Sequence, residues 1–524
     1  MWTIIKKETL ENILTLRFAI CFAACVVVFG LTTYVLVQDY LLEWNRVEAA
    51  QFESEQELAE IEVYSFVRPE IYKEPSLLSV FGSGLGKNWG RRVWISHTRV
   101  PVFTTDETSG GSSADFLSFF YSFDFPGITQ IFVSLLALLF SFDLISGEKQ
   151  KATLKLVLSN PIQRTKLLIG KYIGALLVLA LVIVASFLVA YSIYLTRAPV
   201  PLAPDTWISL ALILLTTILY GAVFIAIGLL ISALTQKVPS SLIVCLIVWV
   251  FLVLVLPSAI GFMSSELGFS EDAREFERSL SSLYEEYNER MAGLRYVALD
   301  RMLTINVSGS SEGQQIFRIM GRNAVEYYMD RLAETIDSQN EFAARRLGLE
   351  SAYKAKRSAK TALTNNLLRF SPSSLYSNIV DALAGTDEAS HEYFMGRARV
   401  YREEVMEYIR SNGGYSSQRW FTNDIEDSPY RDFVNIAEGA TLEEMGAAAQ
   451  QNPQVINQIM EWIRQVESDP QRKLNLSDMP RFENEPRSLP SALNTAMFDF
   501  FLMVMYLAVA IVISYIKFMN YDPR

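Results

Sequence analysis

Apolar runs of about 20 residues, the length a helix needs to cross the hydrocarbon core of a bilayer, recur six times along this chain and settle the fold class before any motif is considered. They are Phe18–Val37, Gly127–Ile145, Tyr172–Leu195, Trp207–Leu234, Leu242–Met263 and Met497–Ile516. The pattern predicts a mainly α, polytopic membrane protein with six transmembrane helices. The first run is too long for the apolar region of a secretory signal and no small-residue cleavage site follows it, so it reads as a signal anchor.

Lysine and arginine set the orientation, because basic residues in short loops stay on the cytoplasmic side. Lys6, Lys7 and Arg17 precede the first span; Lys149, Lys151, Lys155, Arg164, Lys166 and Lys171 separate the second from the third; Lys237 separates the fourth from the fifth; Lys517 and Arg524 follow the sixth. Six crossings bring all four sets to one side. The expectation is an inner (cytoplasmic) membrane protein with both termini cytoplasmic, external inserts at 38–126 and 264–496, and a cytoplasmic tail at 517–524. In residues 1–17, Trp2, Ile5, Ile13, Leu14 and Leu16 alternate with Lys6, Lys7, Glu8, Glu11 and Arg17, a pattern suited to a helix lying in the cytoplasmic interface.

The second insert, between helices five and six, is large enough for a mostly helical external domain of its own. Phe276, Leu280, Leu283, Tyr287, Met291, Leu294 and Ala298 are spaced by three and four, the seam of a packed helix pair. The pair is expected to turn at "NVSGSSEG" (306–313) and return through Ile316, Met320, Tyr327 and Ile336, forming a helical arm. "LLRFSPSSLYSNIVDALAG" then reads as a helix seated on the outer membrane face. The first insert reads as mixed: helical at first, then a few short strands at "IEVYSFVRPEIYKEP" and "RRVWISHTRVPVF". "FLSFFYSFDFPG" (116–127) reads as an aromatic belt at the outer entry to the second span.

Several function classes are disfavoured. Cys21, Cys25 and Cys245 all lie in spans, so no disulfide framework is expected, and His97 and His391 are the only histidines, too few for a Cys/His metal site or most triad chemistry. Most of the net charge of −11 sits in the second insert and reads as a solvated acidic face, with no basic nucleic-acid footprint. "GSGLGKNWG" (82–90) fails as a phosphate loop: three residues, not four, separate Gly82 from Gly86, and Asn88 stands where a magnesium-binding hydroxyl belongs. No ATPase, and no cofactor, is expected in this chain.

The stretch "SGEKQKATLKLVLSNPIQRTKLLIGK" (146–171) carries more than charge. Leu154, Val157 and Leu158 form an apolar face at i, i+3, i+4 between lysines, a short amphipathic helix ended by "SNP" and shaped to fit a groove. Extended to "FDLISGEKQKATLKLVLSNPIQRTKLLIGKYIG", the segment resembles the signature of ABC-2 type transporter permeases. Three further stretches, "RPEIYKEPSLLSVFGSGLGKNWGRR", "SFDFPGITQIFVSLLALLFSFD" and "LRFSPSSLYSNIVDALAGTDEASHEYF", are similar to the subgroup of multicopper-enzyme maturation permeases with an enlarged external region. The resemblance implies six spans, an interfacial N-terminal helix, and a coupling helix that docks on a separate cytosolic ATPase subunit, where ATP and Mg would be held. By position it assigns Glu148, Thr153, Leu154, Leu158, Pro161, Arg164 and Lys171 to that coupling element. Ala152 departs from the family pattern, standing where glycine is common.

Polar groups in spans are candidates for contact with a transported molecule, since charge in hydrocarbon is expensive. Gln130, Asp143 and Asp499 qualify, with Asp143 also placed to pair with Lys149 or cap local backbone and Asp499 near enough to the outer end to reach water, while Pro257 and Gly261 mark a bend or stop in span five. The implied function is the non-catalytic permease subunit of an ABC-2 exporter, dimeric with an identical or different permease subunit and in contact with membrane lipids. Two alternatives stand beside it: mechanotransmission, in which motion of the spans works the external domain on an external protein partner, and an ATP-independent receptor or scaffold.

Overall fold

The structure is a computed structural model, and it describes residues 2–82, 84, 91–96, 103–104, 124–154, 163–197, 203–266, 269–299, 302–307, 315–320, 322–415, 419 and 473–520. Among these residues, six helices are long and apolar enough to cross a membrane. After a short helix α1 (Trp2–Ile13), α2 (Leu16–Ala59) starts behind an N-cap at Thr15, whose hydroxyl accepts from Phe18 N–H, and runs 44 residues, well past its apolar portion. The second span is α3 (Phe125–Ser141), capped by Asp124 with Pro126 in its first turn, followed by the single turn α4 (Ser146–Gln150). The third and fourth are α5 (Arg164–Leu195) and α6 (Pro204–Leu234). The fifth is broken into α7 (Val238–Trp249), a π-helical turn (Val250–Val255) and α8 (Leu256–Glu266).

Beyond the fifth span come α9 (Phe269–Leu299) and α10 (Arg322–Leu368), which pack against each other as the spacing of apolar residues predicts. Phe276 stacks on Tyr353 at 4.7 Å and Tyr287 on Phe342 at 4.4 Å, with Leu283 buried between these rings' levels. The turn is not simply helical: strands Met302–Val307 and Gln315–Met320 pair antiparallel, Met302 opposite Met320 and Val307 opposite Gln315, while 308–314 lie outside the described residues. Next come α11 (Pro372–Ala384), α12 (Glu388–Ser411) and, after 420–472, which are outside the described residues, the sixth span α13 (Leu489–Met519).

The first insert does form short strands: Glu70–Tyr72, Arg92–Trp94 and Phe103–Thr104 make a three-stranded antiparallel sheet in that order. The proposed aromatic belt falls largely outside the described residues. Two cores result. One fills the bundle, with Phe81 set edge-on against Phe125, Tyr191 and Tyr194 at 5.1–5.4 Å. The other joins the two inserts: Tyr64, Val67, Ile71, Val93 and Ile95 of the first pack on Phe394, Ala398, Val405 and Ile409 of α12, and Arg402 donates to the Ser96 carbonyl at 2.9 Å. The second insert is therefore not a free-standing unit.

The helix expected on the membrane face is elsewhere. α11 is sunk into the bundle, packed on α13, α6 and α3. Tyr376 meets Tyr220 at 5.0 Å and shares a hydrogen bond with Thr217 at 3.1 Å. Thr217 lies some 13 residues into α6, about 20 Å along its axis. The amphipathic stretch does form a helix, but its apolar face is buried by spans rather than by lipid, and α11 exits toward the Gly84 segment, where Gly84 N–H donates to Asp381.

Candidate coupling site

The lysine-rich end of the bundle is organised around one buried cation. Lys171, in the second turn of α5, is 3% exposed, and its Nζ lies 2.6 Å from Glu8 Oε1 and 2.8 Å from Glu148 Oε1. Glu8 reaches it because α1 lies flat on α5, and that approach depends on Gly174, where a Cβ would come within 2.8 Å of the Glu8 Cβ. Glu148 reaches it because α4 turns the chain back at the end of the second span. A charge withdrawn from water is tolerated only with close partners, and here one ammonium pairs with one oxygen of each of two carboxylates from two different elements.

Neighbouring contacts lock the same end. Lys149 donates to the carbonyls of Ala233 at 2.5 Å and Thr235 at 3.0 Å, at the C-terminus of α6, where the helix dipole favours a cation. Arg164 Nη1 donates to the Met519 carbonyl at 2.7 Å, tying α5 to the last turn of α13. Gln150 Oε1 accepts from Val238 N–H at 3.0 Å, and Ser241 Oγ donates to the Phe142 carbonyl at 2.6 Å, which fastens the fifth span to the coupling segment. Thr153 is exposed, its hydroxyl 3.4 Å from the Glu148 carbonyl.

Of the residues that the family resemblance assigned to coupling, Glu148 and Lys171 touch, Thr153 adjoins Glu148, and Arg164, at the start of α5, sits apart against the end of α13. Leu154 is 1% exposed and belongs to the bundle core, so its side chain serves this chain's own packing instead of facing outward. Leu158 and Pro161 lie outside the described residues. Glu8 was missed as a partner, since the interfacial pattern counted it only as one polar position among several; a glutamate amid the apolar side of such a helix was the available signal. Ala152 has φ +58°, the left-handed region that glycine adopts freely.

The three intramembrane polar candidates all have partners in the chain. Gln130 donates to Ser377 of α11. Asp143 pairs with Arg17 at 3.1 Å, not with Lys149. Asp499 is 4% exposed and does not simply reach water: Arg369 lies 2.5 Å from it and Asn378 donates at 3.2 Å. Arg369, Asn378 and Asp499 form one wall of a polar cavity of about 1120 Å³ between α10, α11, α12 and α13, which also takes in Asp381 and His391. Burial, with the Asp124 carboxylate beside it, pushes the Asp381 carboxyl up to about 7; burial and the nearby Lys73 and Lys354 ammonium groups push His391 down to about 4.

Six long apolar helices among the described residues, with a charged segment anchored at one end of the bundle, define a polytopic membrane protein. The chain belongs to the ABC-2 transporter family, whose model, described as "ABC-2 family transporter protein", matches residues 2–522. It is similar to the probable ABC transporter permease protein NosY of Stutzerimonas stutzeri, 33% identical over 129 residues, covering 24% of this chain and 46% of that protein. It is also similar to the NosY counterpart of Pseudomonas aeruginosa, 31% identical over 133 residues, covering 25% and 48% respectively. The matches span about half the length of these curated relatives.

Proposed function

We propose that the chain is the non-catalytic permease subunit of an ATP-driven export or extraction complex of the inner membrane. ATP and Mg are held by a separate cytosolic ATPase subunit docked at the lysine-rich end, and a second permease subunit completes the membrane part. The observation that carries the reading is the Glu8–Lys171–Glu148 cluster: it joins the N-terminal helix, the coupling segment and the third span at one buried point, so that a force applied to α4 reaches the bundle without slack. Basic loops at that end support its lying, with both termini, on the cytoplasmic side. The arm and the sheet of the first insert then lie outside. Affinity purification of the full-length protein from its native membrane tests the proposal. Wild type is expected to bring down a stoichiometric ATP-binding polypeptide, and Lys171→Met to remain membrane-inserted while losing it. Wild type arriving with no ATP-binding partner would overturn the reading in favour of an ATP-independent receptor or scaffold.

A second reading, in which the spans drive the arm without passing a substrate, is favoured by one feature. The root of α10 packs along α8, the outer part of the fifth span, and the turn that follows it pairs with α13 through Arg369 and Asp499, so movement of the spans cannot leave the arm behind.

A further inference from the structure

We infer that Ser371 and Ser373, seated on the main-chain carbonyl of Leu252, form the joint through which movement of the fifth span passes to the arm; the inference rests on the coupling reading above. Its origin is a proline. Within the π-helical turn Val250–Val255 the Leu256 N–H is taken by the Phe251 carbonyl. The next donor along the helix would be residue 257, which is Pro257 and has no N–H. The Leu252 carbonyl therefore loses both of its ordinary helical donors at a depth where no water replaces them. Ser371 Oγ lies 2.8 Å from it and Ser373 Oγ 3.3 Å; the two hydroxyls are 2.8 Å apart, and both side chains are buried, at 0% and 2% exposure. Kinked helices in membranes commonly recruit serine in this way, but here the serines belong to another element: the turn where α10 ends and α11 begins.

The same turn is fastened to the sixth span on its other side. Arg369 pairs with Asp499 and lies 4.7 Å over the Phe498 ring, and Tyr506 Oη donates to the Phe370 carbonyl at 3.1 Å. Arg369, Phe370, Ser371 and Ser373, four of the five residues 369–373, thus bridge spans five and six. At the far end of span five, Val238 N–H is held by Gln150 of the coupling segment. A displacement of that segment moves α7 as a rod, shears the Leu252 carbonyl against α13, and turns the base of α10. Being a single helix of 47 residues stiffened by α9, α10 carries the rotation outward as a lever about 70 Å long.

The test uses the full complex in lipid nanodiscs, its three native cysteines replaced by alanine and spin labels placed at Ser281 on the arm and Ala203 at the start of α6, both exposed. Pulsed dipolar distances are compared without nucleotide and with ATP plus vanadate, alongside ATP hydrolysis. Wild type is expected to shift its distance on nucleotide trapping. Ser371→Ala/Ser373→Ala is expected to lose at least half of that shift while keeping hydrolysis within about twofold. Pro257→Ala, which returns an N–H to the Leu252 carbonyl without weakening the helix, is expected to do the same and covers the case in which the serine variant fails to fold. A full shift in both variants overturns the joint and leaves the coupling reading intact, as does a wild type that hydrolyses ATP with no shift at all. A wild type that carries no ATPase overturns the coupling reading and, with it, the joint.

Discussion

Ala152 shows how a single departure from a family pattern acquires a physical meaning. It closes the turn behind α4 with φ +58°, a conformation that costs an L-residue about 1–2 kcal/mol. Ala152→Gly relieves that strain at an entropic cost of roughly 0.5–1 kcal/mol. The expected net is a small gain, read as a later midpoint in SDS unfolding of the detergent-solubilised protein, whereas Ala152→Val should move the midpoint earlier; equal midpoints for glycine and valine would rule out strain at this turn. Lys171 is the costliest residue to change here. Removing it strands two carboxylates, and breaking a buried pair costs about 3–5 kcal/mol. Asp381 carries a pH dependence whose sign is fixed by its surroundings: burial, and after it the repulsion of the Asp124 and Asp387 carboxylates, outweighs the hydrogen bond that Gly84 N–H donates to it. Its carboxyl titrates near 7 in the folded protein against about 3.9 in the unfolded chain. The folded state therefore holds the proton more tightly, so its contribution to stability is full below about pH 4 and falls as pH rises to about 7. Thermal unfolding of Asp381→Asn should show a flatter profile across that window; an unchanged slope would place the titration elsewhere.

At the scale of elements, the arm and the re-entrant helix differ in how far their sequences declared them. The arm's seam was legible because three-and-four spacing of aromatic and aliphatic residues has one solution, a packed helix pair. The flanking charges, Arg345 bidentate on Glu286 at 2.6 and 2.8 Å and Arg290 on Glu341 at 2.9 Å, are exposed and add little. Stability of the arm resides in the rings, so Phe342→Ala, which empties the contact with Tyr284 and Tyr287, is expected to cost about 3–5 kcal/mol locally. Hydrogen exchange should then quicken along α9 and α10 with α5 and α6 unchanged; protection lost throughout the bundle would show that the arm is not a separate cooperative unit. The strand pair at its tip escaped notice because a six-residue run between helical seams has too few periods to declare itself. α11 was legible as a helix, with Ser371 and Pro372 a recognisable start, but not as a re-entrant one. Its apolar face looks the same to lipid as to Tyr220 and Thr217, and at 13 residues it is too short to register as a span.

For the whole molecule, hydropathy was enough to mark six spans, and the charge pattern of 146–171 drew the eye to the stretch that carries Glu148 and Lys171, because both are local properties of the chain. What they could not convey is long-range pairing: Glu8 with Lys171, Arg369 with Asp499, and the sheet of the first insert sharing a core with α12 of the second. These contacts make the bundle, the arm and the inserts one mechanical body. The account stands on the claim that a nucleotide-binding subunit docks beside Glu148 and Lys171. Site-specific photocrosslinking in native membranes addresses it directly, with a photoreactive residue in place of exposed Thr153 and, as the contrasting position, in place of Ser281 on the arm. The account predicts a crosslink from Thr153 to a polypeptide that also labels with azido-ATP, and none from Ser281; an ATP-binding partner captured at Ser281, or at neither position, would contradict it.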